Sequence, residues 1–140
     1  MLVIGKEVVS WVAKRTNEFG NFGTDIGIGW ERGGKLVAGT AFANWNQVNI
    51  EAHIAAEGKH CLTREYLWTI FDYPFNQLKV RRVTLCIGEG NKPSRRFAEH
   101  LGFILEAELA DAHPTGKLCI YRQYRHECRF LQVRHEKLAE

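Results

Sequence analysis

The sequence has no long hydrophobic run and no closely spaced cysteine pair, and each absence excludes a class of protein. Its longest apolar run, at residues 36–43, is interrupted by Gly39 and Thr40 and is far too short to cross a bilayer. The first five residues lack the charged start and the long apolar region of a secretory signal peptide. We therefore predict a cytoplasmic protein with no membrane partner.

The cysteines are few and scattered. A structural zinc site needs cysteine or histidine ligands at short, regular spacings, and no CxxC pair is present. Two of the four lie in strand-like runs, where a free cysteine behaves as a small buried hydrophobic residue. We expect free thiols and no bound metal at these residues, which are Cys61, Cys86, Cys119 and Cys128.

The chain also carries little net charge. Lys and Arg number 19 against 16 Asp and Glu, which gives +3. This excess falls short of the positive surface of a nucleic-acid-binding protein, and the pairs Arg81–Arg82 and Arg95–Arg96 are better explained as solvated faces or phosphate contacts. We expect no nucleic-acid partner. An apolar content of 45% in 140 residues is enough for one compact domain, 1–140, with a charged tail from about residue 125.

Residues 48–80 carry the clearest local pattern, which is a strand, a polar loop and a helix. Thr63 has the position of a helix N-cap, and Pro74 either ends this helix near Asp72 or kinks it. Such a junction directs free backbone N–H groups and the positive end of a helix dipole at one point, which favours an anion site. The alternative is an ordinary strand-to-helix connection. The residues on one face of the strand are Val48, Ile50, Ala52 and Ile54.

The rest of the chain predicts a simple order of elements. Before residue 48 we expect a helix at 6–16, a loop at 17–24 whose two Phe-Gly pairs anchor it to the core or line a pocket, and a hairpin of strands 25–30 and 35–43. After residue 80 we expect a strand at 82–87, parallel to the first through a right-handed crossover, and a helix that starts at Pro93 and ends at Gly102. Strands 103–109 and 117–124, joined by a loop at 110–116, complete the pattern.

Two segments give this order a family resemblance. One is Asn91-x-x-Ser94-x-x-Phe97-x-x-x-Leu101-Gly102-Phe103, and the other is the stretch 57–63, which aligns with the acyl-CoA loop R/Q-x-x-G-x-G/A. Over about residues 25–124 the chain resembles the GNAT superfamily of N-acetyltransferases with a trimmed N-terminus, and most of all the ribosomal-protein-acetylating type and phage-encoded relatives. The resemblance implies an α+β fold, a three-layer sandwich in which helices flank a mixed, mostly antiparallel sheet with a central parallel strand pair splayed around the acyl-CoA site.

The resemblance also implies an activity. It is the acyl-CoA-dependent transfer of an acetyl group from acetyl-CoA to an amine of a small molecule or protein, by direct attack in a ternary complex and without a metal. The backbone of Ile54 and Ala55 would pair with the pantetheine amides, and Asn91 would hold the pantetheine arm. The remaining residues implied in cofactor binding belong to the loop, namely Gly58, Lys59, His60, Cys61, Leu62, Thr63 and Arg64.

The loop departs from the family pattern at three positions. Glu57 replaces a basic or amide residue, His60 replaces a glycine, and Leu62 replaces a small residue. A side chain at 60 is compatible with binding if it points to solvent, and Lys59 and Arg64 could supply the charge that Glu57 does not.

The sequence identifies the catalytic groups less clearly than it identifies the cofactor-binding residues. Glu51 and His53 share one face of the strand, so either could take the proton of the amine. His53 is preferred, because it lies next to Ile54 and Ala55 and a histidine ordinarily titrates near neutral pH; alternatively, Glu51 faces solvent and His53 is a core histidine. Many relatives have a tyrosine where this chain has Ala98. Ser94 is the substitute acid with precedent in the family, although a helix-start hydroxyl explains it as well. Weaker candidates are Tyr121 and Tyr124.

The altered loop and the absent tyrosine leave a second interpretation open. This is a non-catalytic GNAT-fold binding or regulatory protein that has lost or weakened CoA binding. The acceptor would be selected by the first helix, the Phe-Gly loop and the loop at 110–116, none of which carries a readable code. The oligomeric state is open, with a homodimer among the alternatives.

Overall fold

The computed structural model describes residues 1–16 and 22–131 and, of Lys59, the backbone alone. The elements within these residues are β1 (Leu2–Ile4), α1 (Lys6–Arg15), β2 (Gly27–Arg32), β3 (Lys35–Ala43), β4 (Asn49–Ala56), α2 (Arg64–Asp72), β5 (Arg82–Gly88), α3 (Lys92–His100), β6 (Ile104–His113) and β7 (Gly116–Tyr124). A 3-10 turn at Lys59–Cys61 precedes α2. No helix in the described part is long and apolar enough to cross a membrane.

The strands form one mixed sheet in the order β1-β2-β3-β4-β5-β7-β6. Its neighbouring strands are antiparallel except β4 and β5, which are parallel. Alternate residues of β3 point to opposite faces, so that Ala41 packs under α1 whereas Phe42 packs under the segment after α2. Helices therefore flank the sheet on two faces, which we call the α1 face and the α2 face. The predicted fold class is confirmed.

The N-terminal half contains one strand that the sequence pattern missed. β1 pairs with β2 through only three residues, too few to show an alternating pattern. The predicted hairpin is present, and its turn residues Gly33 and Gly34 both have positive φ, at 57° and 79°. The predicted first helix is α1, which buries Val8, Val9 and Val12 against the sheet.

α2 begins as predicted, because the Thr63 hydroxyl accepts a hydrogen bond from the backbone N–H of Tyr66 at 3.1 Å. It ends at Asp72, and Tyr73–Gln77 continue as one π-helical turn. Pro74 lacks the N–H that an α-helix would require, so the chain ends the α-helix and still buries Phe75.

The C-terminal half differs from the prediction at residues 110–116. These residues are not a loop, because β6 extends to His113 and β7 starts at Gly116. Register shifts at two places in β6, together with a positive φ of 55° at Asp111, absorb extra residues in this strand. The bulges break the alternation of apolar and polar side chains, and this hides the strand from sequence reasoning.

The chain after β7 docks on the α2 face. The ring of Phe130 stacks on Phe71 with centroids 5.4 Å apart, and Cys128 and Leu131 are buried. The predicted charged tail from about residue 125 therefore begins as a docked segment, and its remaining residues, 132–140, lie outside the described residues. All four cysteines are free thiols.

Candidate functional site

The parallel pair at the centre of the sheet opens into a cleft. β4 and β5 pair at three positions, the last of which is Glu51 with Thr84. Both strands continue beyond this pair, β4 to Ala56 and β5 to Gly88, with no further pairing between them in the described residues. The backbone of β4 from residue 52 onward therefore borders a gap that another chain or ligand could fill.

A groove of about 430 Å³ continues from this gap. It brings together the end of β4, the loop after it, the first turn of α3 and the last residues of α1. Its lining residues are Arg15, Thr16, Ile54, Ala55, Ala56, Glu57, Gly58, Leu62, Pro93, Ser94 and Phe97. Strand backbone and loop, which sequence reasoning combined in one cofactor site, thus border one groove.

A second groove of about 620 Å³ lies between α2 and α3 and is closed by the segment after β7. It shares Leu62, Pro93 and Phe97 with the first groove, so the two are continuous. Its floor is apolar and its cationic side chains are Arg96 and Arg129. The two grooves together offer room for an elongated ligand with an anionic end.

Glu51 lies at the point where the strands separate. Its Oε2 accepts a hydrogen bond from Asn44 Nδ2 at 3.1 Å, and it is half-buried on the α1 face, so it is neither fully solvated nor in the core. On the opposite strand, the thiol of Cys86 lies two residues beyond Thr84. Burial, and to a lesser degree the charge of Glu51, raises the pKa of Cys86 to about 11, which keeps this thiol neutral.

His53 lies on the same strand face, under an aromatic ring. The imidazole stacks on Phe22 with centroids 3.9 Å apart and planes inclined by 12°. Burial lowers the pKa of His53 to about 4, so the ring is neutral at pH 7. Phe22 also packs with the α1 core, in agreement with the anchoring role expected for one Phe-Gly pair. The other pair lies at residues 19–20, outside the described residues.

The loop after β4 is fixed largely by its own backbone. The N–H of Cys61 donates to the carbonyl of Gly58 at 3.0 Å, and the Cys61 thiol is buried in the core. The exposed ring of His60 lies against Gly58, since a Cβ on Gly58 would be 2.9 Å from His60 Cε1. Thr63 is used as the cap of α2, and Arg64 is exposed at the first helical position.

Two arginines that sequence reasoning missed hold this loop. Arg15 Nη2 is 2.7 Å from Glu57 Oε1, and Arg32 Nη2 donates to the His60 carbonyl at 2.9 Å. They are 42 and 28 residues away from their partners along the chain, so no local pattern could have connected them.

α3 starts at Lys92, one residue before the predicted start at Pro93, and its N-cap is Asn91, which was predicted only as a cofactor-binding residue. The side-chain oxygen of Asn91 accepts a hydrogen bond from the backbone N–H of Ser94 at 3.3 Å, and Ser94 is half-buried in the first groove. Ala98 is fully buried further along the helix. Beneath α3, the buried Tyr121 hydroxyl accepts a hydrogen bond from Arg95 Nε at 3.0 Å. Tyr124 instead stacks on His126 and pairs with Arg82, where the β4–β5 pairing begins, so it lies away from the gap.

The turn between β6 and β7 reaches the wide end of the cleft. The ring of His113 covers Gly88, where a Cβ would lie 2.5 Å from His113 Cε1. No group of three or more His, Cys, Asp or Glu residues suited to a metal occurs within residues 1–16 and 22–131.

Comparison with known proteins gives one similar curated sequence and many similar folds. No protein-family model matches the chain. A Bacillus subtilis (strain 168) protein described as the putative ribosomal N-acetyltransferase YdaF is 32% identical in an alignment of 84 positions that covers 56% of this chain and 45% of that protein. The chain thus aligns with less than half the length of this relative.

Solved structures extend the similarity to the whole sheet. A crystal structure described as a probable acetyltransferase is 26% identical with a TM-score of 0.61, over 73% of this chain and 63% of the other. Variant forms of the spermidine/spermine N-acetyltransferase SpeG from Vibrio cholerae superpose with a TM-score of 0.69 over 95% of this chain and 99% of theirs; at 13% identity they share the fold alone. The splayed parallel strand pair and these similarities show that the chain has the fold of the GNAT acetyltransferases.

Proposed function

We propose that this protein is an acyl-CoA-dependent N-acetyltransferase that moves the acetyl group of acetyl-CoA to an amine. The observation that carries the proposal is the cleft between β4 and β5, which continues into a groove lined by strand backbone, loop and helix start. An extended pantetheine arm fits such a cleft, because its amides can pair with β-strand backbone that has no strand partner. The similar proteins described as acetyltransferases support the same proposed activity.

The proposed cofactor site follows the two grooves. The backbone of Ile54 and Ala55 would pair with the pantetheine amides, and Asn91 would hold the arm from the opposite side. The loop 58–64 would take the pyrophosphate with backbone N–H groups at the N-terminus of α2. The second groove, with Arg96 and Arg129, would accommodate the nucleotide end.

We assign the proton transfer to Glu51, with His53 as the competing candidate. The amine must lose a proton as it attacks the thioester carbonyl, and a carboxylate at the apex of the cleft can accept it directly or through water. His53 is neutral at pH 7 and could also accept a proton, but its ring is covered by Phe22, whereas Glu51 lies where the two strands separate. The sulfur leaves as a thiolate that needs a proton. Two hydroxyls line the groove, and Ser94 is the candidate acid because the Thr16 hydroxyl already donates to the Val12 carbonyl at 3.0 Å.

The second candidate function is a GNAT-fold binding protein without catalysis. The buried Ala98 favours it, because a methyl group there supplies no acid for the departing thiolate. The acceptor and the oligomeric state, including a homodimer, remain separate questions in either case.

Binding and turnover separate the two candidates. Acetyl-CoA at millimolar concentration should raise the melting temperature, since a ligand that binds only the folded state stabilises it. Incubation with amine panels, including ribosomal proteins and polyamines, should then release free CoA thiol faster than acetyl-CoA alone. Binding without amine-dependent release would favour the binding protein, and the absence of both a thermal shift and calorimetric heat would refute the cofactor site.

A further inference from the structure

The ion pair between Arg15 and Glu57 lies in the wall of the first groove, beside the loop. The Arg15 Nε and Nη2 atoms donate to Glu57 Oε1 at 3.1 and 2.7 Å, and Nη1 donates to the Trp11 carbonyl at 3.3 Å. The guanidinium also stacks on the Trp11 ring, 3.7 Å from its centroid. Arg15 is thus held on three sides at the end of α1.

The Arg15–Glu57 ion pair changes the charge that an anion would meet at the loop. Taken alone, the Glu57 carboxylate would repel an anion bound at the loop, because like charges a few ångströms apart destabilise one another. The bound guanidinium cancels that charge. An arginine has five N–H donors, and in the described residues three have partners, so two remain to bind phosphate oxygens.

On the basis of the proposed function, we propose that Arg15, positioned by Glu57, is the phosphate-binding cation of this site. The family pattern has a basic or amide residue at position 57, and this chain moves the cation from the loop to α1. Glu57 is then a positioning residue for Arg15 and not a defect in the loop. The site consequently selects thioesters that carry a pyrophosphate over those that end at the pantetheine.

Arg15 and Glu57 contribute little to the stability of the fold. The side chains of Arg15 and Glu57 are 37% and 48% exposed, and exposed ion pairs contribute little to stability. Substitution should therefore change ligand binding much more than folding. Lys14 is the matched control, because it is exposed, carries the same charge and does not line the groove.

The first experiment compares two ligands on the intact protein by calorimetry. Acetyl-CoA is compared with S-acetylpantetheine, which has the thioester and both amides but no phosphate. Arg15→Gln should weaken acetyl-CoA binding by about tenfold or more and leave S-acetylpantetheine unchanged, whereas Lys14→Gln should change neither. An unchanged acetyl-CoA affinity in Arg15→Gln, or an equal loss for both ligands, overturns the proposal.

The second experiment moves the cation. In an Arg15→Gln background, Glu57→Arg should restore acetyl-CoA affinity, because it returns a guanidinium to the position that the family uses. A double variant as weak as Arg15→Gln would show that positive charge at this place is not what the ligand needs. Wild-type protein is measured first; if it binds neither ligand, the proposed function itself has failed, whereas wild-type binding with an insensitive Arg15 refutes only this inference.

Discussion

The two sides of the cleft carry different chemistry. The β4 side presents carboxylate and imidazole groups, namely Glu51, His53, Glu57 and His60. The β5 side presents groups that stay neutral at pH 7, namely Thr84, Cys86, Asn91 and Ser94. Under the proposed function this difference would divide the chemistry: the carboxylate or imidazole of the β4 side takes the amine proton, while Asn91 and Ser94 on the β5 side hold the pantetheine arm and return a proton to the thiolate.

The largest expected effect tests that division directly. Glu51→Gln keeps the shape and the hydrogen-bonding capacity toward Asn44 but removes the base, so kcat should fall by roughly 10² to 10⁴ with little change in the Kd for acetyl-CoA. Steady-state kinetics with an identified amine acceptor, or acetyl-CoA hydrolysis as a proxy, would measure it.

Cys86→Ala is the matched variant on the β5 side, and kcat should stay within roughly threefold of wild type. A loss confined to His53→Ala would transfer the base assignment to His53. If Glu51→Gln and His53→Ala both retain turnover with unchanged pH dependence, positioning alone drives the reaction.

The second prediction concerns stability on the β4 side. Because burial lowers the pKa of His53 from 6.5 to about 4, the unfolded chain binds this proton more tightly than the folded protein. The contribution to the free energy of unfolding is complete above pH 6.5 and is lost as the pH falls toward 4, by about 3 kcal/mol at most. Urea unfolding across this range would measure the slope.

His53→Gln should flatten that slope, whereas His100→Gln, at an exposed histidine on α3, should leave it in place. An unchanged slope in His53→Gln would mean that the imidazole under Phe22 is solvated in solution, and the β4 side would then lose one of its distinguishing groups.

The two sides also differ in how far sequence alone predicts them. On the β5 side, the start of α3 near Pro93 and its end at Gly102 depend on residues within a dozen positions, and the sequence predicted both, although it did not identify Asn91 as the cap. On the β4 side, the strand and the Thr63 cap were predicted, but Arg15, Arg32 and Phe22 reach the site from distant elements. Tertiary packing brings these partners together, and no periodicity encodes it. β6 itself was predicted, but its extension from residue 109 to His113 was missed for a related reason, because the pairing with β7 decides its length.

A smaller effect distinguishes capping from ligand binding. Thr63→Ala and Asn91→Ala should each lower stability by about 1 kcal/mol, because each removes the acceptor for a backbone N–H at a helix start. Asn91→Ser keeps a good cap but removes the amide. If Asn91 holds the pantetheine arm, Asn91→Ser should retain the melting temperature and weaken acetyl-CoA binding.

Thr63→Ser is the control on the β4 side and should change neither quantity. Equal acetyl-CoA affinity in Asn91→Ser and wild type would reduce Asn91 to a helix cap, and the β5 side would then position the ligand through Ser94 and backbone alone.

The smallest expected effect is at His60, where this chain has a side chain and the family pattern has glycine. The ring is exposed and lies against Gly58, while Arg32 holds the loop through the His60 backbone carbonyl, which no substitution removes. His60→Gly should therefore keep acetyl-CoA affinity or improve it, because closer backbone approach offsets the flexibility that a glycine adds, about 1 kcal/mol at most. His60→Ala, which removes the ring without that flexibility, is the control, and calorimetry measures both. If both variants bind about tenfold more weakly, a loss of roughly 1.4 kcal/mol, the imidazole is itself a phosphate ligand. The β4 side would then recognise the anion through side chains at two places, at Arg15 and at His60, and its backbone N–H groups would contribute less than the family pattern implies.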